Sequence, residues 1–402
     1  MFKEELLHFI WRTHRIPKIG LSTTEGENIE IIHPGVLNHY DGPDFSNAKI
    51  RIGDVIWVGP VEIHVRSKDW YYHKHQLDNR YDAVVLHVVY EDNMSVQVAN
   101  RSLPCLEIKK FVSPELIATY LNLQNCKESL ACNPYEIKDI VNSFYWMRDR
   151  LLVERFKRKL DAISNKSKGT TVVFNMLLFG AFGGKANRSA LMELASRIHW
   201  SQIERWRNRP ERIRTYIMYI SGLFEQGNES TSEKKLIEAY AEQPMKRDYW
   251  QNKQIRPTAR PKNKLLEICA MITENIFEYL IRAEDPFLFS DLWNSLVQDI
   301  KSGQITSIKF SEFTLRNIAL NAIAPFAFFR GIQSGDSAWF DVAMFQLEDW
   351  PHEQNKITKL YRDKGLKIRT GGDSQALLEL YHNYCTQKKC VSCAFGMNLL
   401  RA

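Results

Sequence analysis

Hydrophobic and polar residues alternate along the first third of the chain. In the stretch PVEIHVR, for example, Glu62 and His64 lie on one side of an extended chain, and valine and isoleucine lie on the other. A period of two is typical of a β-strand with one buried face. Similar runs, separated by turn signals such as IGD and EDN, follow one another from Ile29 to Lys109. The alternation therefore predicts several strands, with Glu62 and His64 on the polar face of the third.

The apolar period becomes that of a helix after Ser113, as in IKDIVNSFYWMRDRLLVERFKRKLDAI and KLLEICAMITENIFEYLIRA. An amphipathic stretch at Phe2–Trp11 predicts one helix before the strands. We therefore expect an α/β domain at residues 1–112, followed by a mostly α-helical region at residues 113–402. The loop YWQNKQIRPTARPKNK suggests that this helical region divides into two lobes near residues 250–262.

Composition and charge narrow the class of protein without indicating one function. The chain has 402 residues, of which 44% are hydrophobic and 25% are charged, as in ordinary globular proteins. Its formal net charge of +7 permits a polyanionic partner but does not require one. The apolar run TTVVFNMLLFGAFGG is too short to span a bilayer, and the charged N-terminus is unlike a secretory signal. With seven cysteines and no such signal, we expect a cytoplasmic protein outside the membrane; the oligomeric state stays open.

A group of ionisable residues occupies corresponding places on the predicted strands. Asp44 lies where the second strand begins, and Glu62 and His64 project from one face of the third. Glu4 and Glu5 lie on the leading helix. Two carboxylates on neighbouring strands are suited to a divalent metal that activates water, and a nearby basic group can stabilise developing charge. The group is therefore a candidate hydrolytic site.

This order of helix, three strands, helix and strand resembles the PD-(D/E)xK nuclease superfamily, in which an Asp opens the second strand and Glu-x-Lys lies on the third. The resemblance implies a restriction-endonuclease-like αβββαβ core with extra strands, and metal-dependent hydrolysis of phosphodiester bonds in DNA or RNA. It makes Asp44 and Glu62 metal ligands, with Glu5 as a further catalytic carboxylate. His64 stands where the superfamily has Lys, and it can serve there as a catalytic base or as a metal ligand. The expected cofactor is a divalent metal, Mg²⁺, Mn²⁺ or Zn²⁺, and the imidazole shifts the preference from Mg²⁺ toward Mn²⁺ or Zn²⁺.

Further histidines allow a second interpretation of the same region. His73, His75 and His87, with Asp78, can join His64 as a transition-metal site without nuclease activity. His73 and His75 share a face only in an extended segment, and His87 is equally consistent with a buried, hydrogen-bonded core residue. The alternative to a nuclease is thus a non-catalytic module that binds nucleic acid or protein and whose metal sites are structural.

Three cysteines near the end of the chain, Cys385, Cys390 and Cys393, have the spacing C-x4-C-x2-C. Thiolates this close together are suited to zinc or an iron–sulfur cluster. Some RecB-like nucleases resemble this arrangement, with one upstream cysteine and three near the C-terminus, although their spacing differs. Reduced cysteines that close a helix end are the simpler alternative. The candidates for a fourth ligand are Cys132, Cys126 and His382.

Clusters of basic residues are the candidates for phosphate contacts. Arg155 and Lys159 lie on a predicted amphipathic helix, where a solvated charged face is the simplest interpretation. The proline-containing loop IRPTARPKNK carries Arg256 and Arg260, and Arg66 ends the third predicted strand. We expect Arg66, Arg256 and Arg260 to contact nucleic acid if the protein binds it.

The whole chain also resembles an uncharacterised bacterial family known as domain of unknown function 2851. The stretches that carry the resemblance are GPDFSNAKI, VEIHVRSKDWYYHKHQLDNRYDAVVLHVV, IRPTARPKNK, PHEQNKIT and YCTQKKCVSC. This second resemblance implies no activity, so the functional hypothesis depends on the strand-borne residues.

Overall fold

A computed structural model of the protein describes residues 2–164, 169–224, 243–253, 255–257, 260–305 and 310–401, together with Lys235 and Ala239. It contains two compact units: residues 1–147 with 380–402, and residues 148–379. Residues 113–147 and the C-terminal segment thus cluster with the sheet, whereas the sequence placed a boundary after residue 112. The predicted division near residues 250–262 includes Gln254, Thr258 and Ala259, which lie outside the described residues.

The first unit is built on a mixed seven-stranded sheet. Its strand order is β1-β2-β4-β5-β6-β9, and β3 pairs with β4. Neighbouring strands from β1 to β5 are antiparallel, whereas β5, β6 and β9 are parallel; β7 and β8 form a separate pair. The strands are β1 Leu21–Ser22, β2 Asn28–His33, β3 Val36–Leu37, β4 Phe45–Ile52, β5 Val55–Arg66, β6 Leu86–Glu91, β7 Gln97–Val98, β8 Arg101–Ser102 and β9 Cys105–Glu107.

Most of the remaining described chain is helical. The helices are α1 Glu4–Arg12, α2 Asp69–Tyr72, α3 Pro114–Asn125, α4 Ile140–Ser164, α5 Thr170–Phe182, α6 Gly184–Arg197, α7 Trp200–Arg205, α8 Pro210–Ile220, α9 Pro261–Thr273, α10 Glu278–Arg282, α11 Pro286–Ser302, α12 Glu312–Ile318, α13 Ala324–Ser334, α14 Ala338–Glu348, α15 Lys356–Asp363, α16 Gly371–Leu380 and α17 Ala394–Leu399. The predicted α/β N-terminal segment and mostly helical remainder are therefore confirmed. No helix among the described residues is long and apolar enough to cross a membrane.

Strand β5 is central in the sheet, and its second half is more deeply buried than its alternation predicts. Val61, Glu62, Ile63 and His64 are all buried, so the expectation of a single buried face is wrong for this stretch. The amphipathic helix α1 packs on β5, and the connection from β5 to β6 covers the side chains of Glu62 and His64. This connection is anchored by Trp70, which is fully buried in a cluster with Tyr81 and nearby valines. Polar side chains of β5 are consequently enclosed within the unit.

The second unit encloses charged residues of α4 that the sequence placed on a solvated face. Nε of Arg148 donates a 2.8 Å hydrogen bond to Asp373 of α16, and Nε of Arg155 donates to Gln375. Asp373 and Gln375 are each only 1% exposed. The basic face of α4 is therefore turned toward buried acceptors of α16 because those acceptors require donors inside the protein.

Asp373→Ala should lower the free energy of unfolding by about 2–4 kcal/mol, because Arg148 and the backbone N–H groups of Arg369 and Thr370 lose a buried acceptor. Chemical denaturation measures this loss. Asp363→Ala is the control: Asp363 is exposed in the last turn of α15 and should change stability by less than about 0.5 kcal/mol. Equal effects of the two substitutions would contradict the structural role of Asp373.

Candidate metal centre

Three histidines converge beside the middle of the sheet. One ligand nitrogen from each of His64, His73 and His75 lies within 4.8 Å of the other two. Nε2 of His64 is 3.1 Å from Nδ1 of His73. Oε1 of Glu62 adjoins two of these histidines, at 3.1 Å from Nε2 of His75 and 3.5 Å from Nε2 of His64. Three imidazole nitrogens and one carboxylate oxygen are a donor set suited to a four-coordinate transition metal. The described residues therefore contain a cluster that can hold a metal ion.

Two different local structures bring these four side chains together. Glu62 and His64 are two residues apart on β5 and so project from the same face. His73 directly follows α2, and His75 begins a short 3-10 turn. Between them Lys74 has a φ of 63°, in the left-handed region, which reverses the chain direction. The two histidines therefore meet through a strained turn, where the sequence required an extended segment; such a conformation costs on the order of 1 kcal/mol.

A pair of carboxylates adjoins the histidines. The backbone N–H of Asp44 donates a 3.0 Å hydrogen bond to Oε2 of Glu62, and the N–H of Ile63 donates a 3.0 Å bond to Oδ2 of Asp44. Because Asp44 directly precedes β4, which pairs with β5, these two bonds hold the carboxylates side by side. The Glu62 side chain is 5% exposed and that of Asp44 is 25% exposed. Glu62 is thus buried, whereas solvent can reach Asp44.

His8 of α1 is part of the site, although the sequence did not indicate it. Its Nε2 lies 3.1 Å from Oδ2 of Asp44. Burial alone would lower the pKa of His8, but the hydrogen bond and charge of Asp44, together with Glu4, raise it above its usual value. The signal available in the sequence was the position of His8 one helical turn after Glu4 on an amphipathic helix. His8 is therefore biased toward the positively charged form.

The two glutamates of α1 point to different surroundings. Glu5 accepts a 2.6 Å hydrogen bond from the Tyr120 hydroxyl and a 3.4 Å bond from Gln124 of α3. Glu4 is close enough to the site to act on His8. Burial raises the pKa of Glu4, and His73 partly opposes this rise. Since consecutive helical residues are about 100° apart, only one of the two can face the sheet site, and the structure places Glu4 there.

His87 lies behind His64 and outside the group of three ligand nitrogens. Its Nε2 is 2.8 Å from Nδ1 of His64, while its own Nδ1 is buried without a hydrogen-bond partner among the described residues. A metal-binding histidine commonly donates its second ring N–H to an acceptor, which fixes the orientation of the ring. In this arrangement Nδ1 of His64 pairs with His87 and Nε2 faces the cluster. His87 is thus placed to orient His64.

The buried histidines are held in the neutral form, which is the form that binds metals. Burial, reinforced by the neighbouring histidines, lowers the pKa of His64 far below its usual value. Burial also lowers the pKa of His75, and it lowers that of His87 to about 3. Glu62 shows the opposite response, because burial and the nearby Asp44 raise its pKa to about 9. Without a cation, Glu62 is therefore protonated at neutral pH.

The basic residues predicted to contact nucleic acid lie on separate elements. Arg66 ends β5; its backbone N–H donates a 3.1 Å hydrogen bond to Asp69, and its Nε is 3.8 Å from the same carboxylate. Arg256 and Arg260 belong to the second unit, where both are exposed and Arg260 immediately precedes α9. Thr258 and Ala259, between them, lie outside the described residues.

The predicted cysteine cluster lies within the first unit. Cys390 and Cys393 are buried, and Cys385 is partly buried. Burial raises the pKa of Cys390 to about 12, and the neighbouring Cys393 and Cys132 add to the rise. The structure thus brings Cys132, the upstream candidate, into the surroundings of the C-terminal cysteines. Cys126 also lies near this segment, because its carbonyl oxygen accepts a 2.8 Å hydrogen bond from Nζ of Lys388, which stands between Cys385 and Cys390.

One known protein family matches most of the chain. A family model described as "Protein of unknown function (DUF2851)" matches residues 4–356. The chain belongs to this family. The matched range contains the histidine cluster, Asp44 and Glu62, and ends before the C-terminal cysteines, so those cysteines lie outside it. Searches of curated proteins and of solved structures found no match.

The pH dependence of stability should reveal the proton that the buried carboxyl group of Glu62 holds. Its pKa rises from about 4.5 in the unfolded chain to about 9 in the folded one, so between these values the folded chain holds a proton that unfolding releases. The free energy of unfolding of the metal-free protein should therefore fall as pH rises through this window, by at most about 1.4 kcal/mol per pH unit from this group. Glu62→Gln should remove this component. Urea unfolding with a chelator at pH 5.5 and pH 8 measures it.

Glu91→Gln provides the matched control for this measurement. Glu91 is about half exposed at the end of β6, and its substitution should preserve the pH dependence of the wild-type protein. Stability curves for wild type and Glu62→Gln that run parallel from pH 5.5 to 8 would show that Glu62 does not titrate in this way.

Proposed function

We propose that the protein is a metal-dependent hydrolase that cleaves phosphodiester bonds in DNA or RNA. The observation that carries the proposal is the side-by-side placement of Asp44 and Glu62 on neighbouring strands, next to the ligand nitrogens of three histidines. Phosphodiester hydrolysis needs a cation to offset charge on the phosphate, together with groups that accept and stabilise protons and charge. These groups are assembled within one part of the first unit.

The order of elements also supports the proposal. Helix α1, strands β2, β4 and β5, helix α2 and strand β6 follow the helix, three-strand, helix, strand order of the PD-(D/E)xK nucleases. Asp44 precedes the second of these strands and Glu62 lies on the third, as in the motif of that superfamily. The strands outside this series would then be additions to a restriction-endonuclease-like core; they are β1, β3, β7, β8 and β9.

The donor set favours a borderline metal over magnesium. Glu62, His64, His73 and His75 would hold it, with one oxygen and three nitrogens, whereas Mg²⁺ prefers six oxygens. We therefore propose Zn²⁺ or Mn²⁺ as the cation. A cation bound there would lower the pKa of a water molecule and offset negative charge on the substrate.

Asp44 and His8 would supply the remaining chemistry. Asp44 is partly exposed next to the cluster, so its carboxylate is placed to accept the proton of the attacking water. His64 occupies the position of the superfamily's lysine but is buried and neutral. His8, whose pKa is raised by Asp44 and Glu4, would provide the positive charge that the lysine normally contributes. Arg66, Arg256 and Arg260 remain the proposed contacts to the nucleic acid backbone.

Burial of the cluster favours one alternative function. The side chains of Glu62 and His64 are 5% and 1% exposed, as expected for a closed structural metal site. In that case the protein would be a non-catalytic module for nucleic acid or protein, and the metal would stabilise the β5–β6 connection. Exposed His73 and the partly exposed Asp44 favour the hydrolase, since they open the cluster on one side.

The hydrolase proposal predicts that Asp44→Asn retains the bound metal but lowers the rate of cleavage at least about 100-fold, because the proton acceptor is lost. Glu62→Gln should lose both metal and cleavage. Metal content by elemental analysis, combined with cleavage of labelled single- and double-stranded DNA and RNA in Mg²⁺, Mn²⁺ and Zn²⁺, measures both effects. Glu91→Gln is the control and should match wild type.

The two candidate functions give different outcomes in this experiment. Stoichiometric metal in the wild-type protein, without cleavage of any of these substrates, would exclude the hydrolase and favour the structural site. Cleavage that survives in Asp44→Asn and Glu62→Gln would place the activity elsewhere in the chain, or in a contaminant.

We further propose that Cys385, Cys390, Cys393 and Cys132 hold zinc or an iron–sulfur cluster. The support is the C-x4-C-x2-C spacing together with the influence of Cys132 and Cys393 on Cys390. A bound metal would keep these thiols deprotonated despite their burial.

Cys390→Ser should remove one equivalent of zinc, or the iron and visible absorbance of a cluster, from anaerobically purified protein, because one of four thiolate ligands is lost. Elemental analysis and absorbance spectroscopy measure this. Cys269→Ser is the control: Cys269 is also buried, with a pKa raised to about 12 by burial, but lies on α9 of the second unit. Identical metal content in both variants and wild type would exclude the cysteine site.

A further inference from the structure

The second unit contains a cavity whose walls carry an unusual concentration of positive charge. The cavity has a volume of about 350 Å³ and lies between α4, α5 and α6. Four of its lining residues are basic: Arg155, Arg158 and Lys159 from α4, and Arg188 from α6. Volumes of this size are typical of small-ligand sites. The feature lies entirely within residues 148–379 and is independent of the proposed hydrolase.

Neutral groups hold two of these basic side chains in place. Nζ of Lys159 donates to the carbonyl oxygen of Leu320 and to Oδ1 of Asn321, both at 3.1 Å, and to Oε1 of Gln375 at 3.2 Å. Nε of Arg155 donates to the same oxygen of Gln375. Leu320 lies in a π-helical turn, Ala319–Ile323, and such turns are frequent at functional sites. The side chains are thus positioned without their charges being neutralised.

Among the residues that the structure describes, the negative charge near the cavity is too small to balance the four basic residues. Arg158 is ion-paired with Glu379 of α16. Glu353 attracts Arg155 and Lys159, while its own Oε2 accepts a hydrogen bond from Nε2 of Gln375 at 2.5 Å. Arg188 makes no hydrogen bond or ion pair with any residue that the structure describes. The cavity therefore keeps an excess of positive charge, and Arg188 keeps its full set of donors.

Burial makes this excess unfavourable in the absence of an anion. It lowers the pKa of Arg155 to about 10, with Arg188 and Arg158 adding to the effect. It also lowers the pKa of Lys159 and of Arg188. Like charges held together out of water repel each other, and an anion that enters relieves both the repulsion and the lost solvation.

We propose that this cavity binds a phosphate group. The guanidinium of Arg188 and the terminal nitrogens of Arg155 are the donors, since arginine binds phosphate oxygens with two parallel hydrogen bonds. Lys159 contributes charge, because protein acceptors already occupy its three protons. The volume of the cavity admits a phosphate with an attached sugar but is too small for a duplex, so the ligand is a nucleotide or the phosphorylated end of a single strand.

Binding of inorganic phosphate, AMP and a short 5′-phosphorylated oligonucleotide, measured by calorimetry at low ionic strength, tests the proposal. Arg188→Gln should weaken phosphate binding at least about 10-fold. Lys185→Gln, which removes the same charge from an exposed position on α6, should change it less than about 2-fold. Tighter binding of AMP than of phosphate identifies a nucleotide site. Binding of the oligonucleotide that depends on its 5′-phosphate identifies a strand end.

Thermal unfolding provides a second measurement that separates binding from folding. Phosphate should raise the Tm of the wild-type protein and of Lys185→Gln but not that of Arg188→Gln. In the absence of phosphate, Arg188→Gln should be at least as stable as wild type because it relieves charge repulsion. No binding to wild type at about 10 mM phosphate, or equal weakening by both substitutions, would overturn the proposal.

Discussion

The first unit depends on the pair of hydrogen bonds that joins the start of β4 to the middle of β5. The N–H of Asp44 donates to Glu62, and the N–H of Ile63 donates to Asp44, so each carboxylate satisfies the backbone of the other strand. Without these bonds, an acidic side chain on a strand that is buried on both faces would be strongly unfavourable. These hydrogen bonds fix the separation of the two carboxylates, and the histidine cluster lies beside Glu62.

Both units enclose polar groups, but the groups in the first unit differ from those in the second. The first unit gathers imidazole groups that could hold a metal ion, next to a buried carboxyl group. The second gathers guanidinium and ammonium groups around a cavity, where donors exceed negative charges. Each arrangement has its polar atoms oriented by a further layer: His87 holds His64, and Gln375 holds Lys159 and Arg155. Such supporting contacts are typical of sites that bind a charged ligand.

Several features of the site followed from local pattern alone. The alternation in β5 places Glu62 and His64 on one face, and the position of Asp44 before β4 puts it next to them once the strands pair. The helix α1 and the change to helical periodicity were also predictable. Other features were not. A left-handed residue at Lys74 brings His73 and His75 together, and the rotation of α1 selects Glu4 over Glu5. The acceptor that Arg155 and Lys159 share, Gln375, lies on α16, more than two hundred residues away.

The sequence by itself determined the α/β and helical segments, the shared face of Glu62 and His64, and the cysteine spacing, because each depends on residues a few positions apart. Tertiary structure decided which ionisable groups meet, and with that their charge. His8 joins Asp44, His87 lies behind His64, and Cys132 approaches Cys390 only after distant elements pack. The protonation state of each group also depends on tertiary structure, because burial and neighbouring charges set its pKa and both are properties of the folded chain.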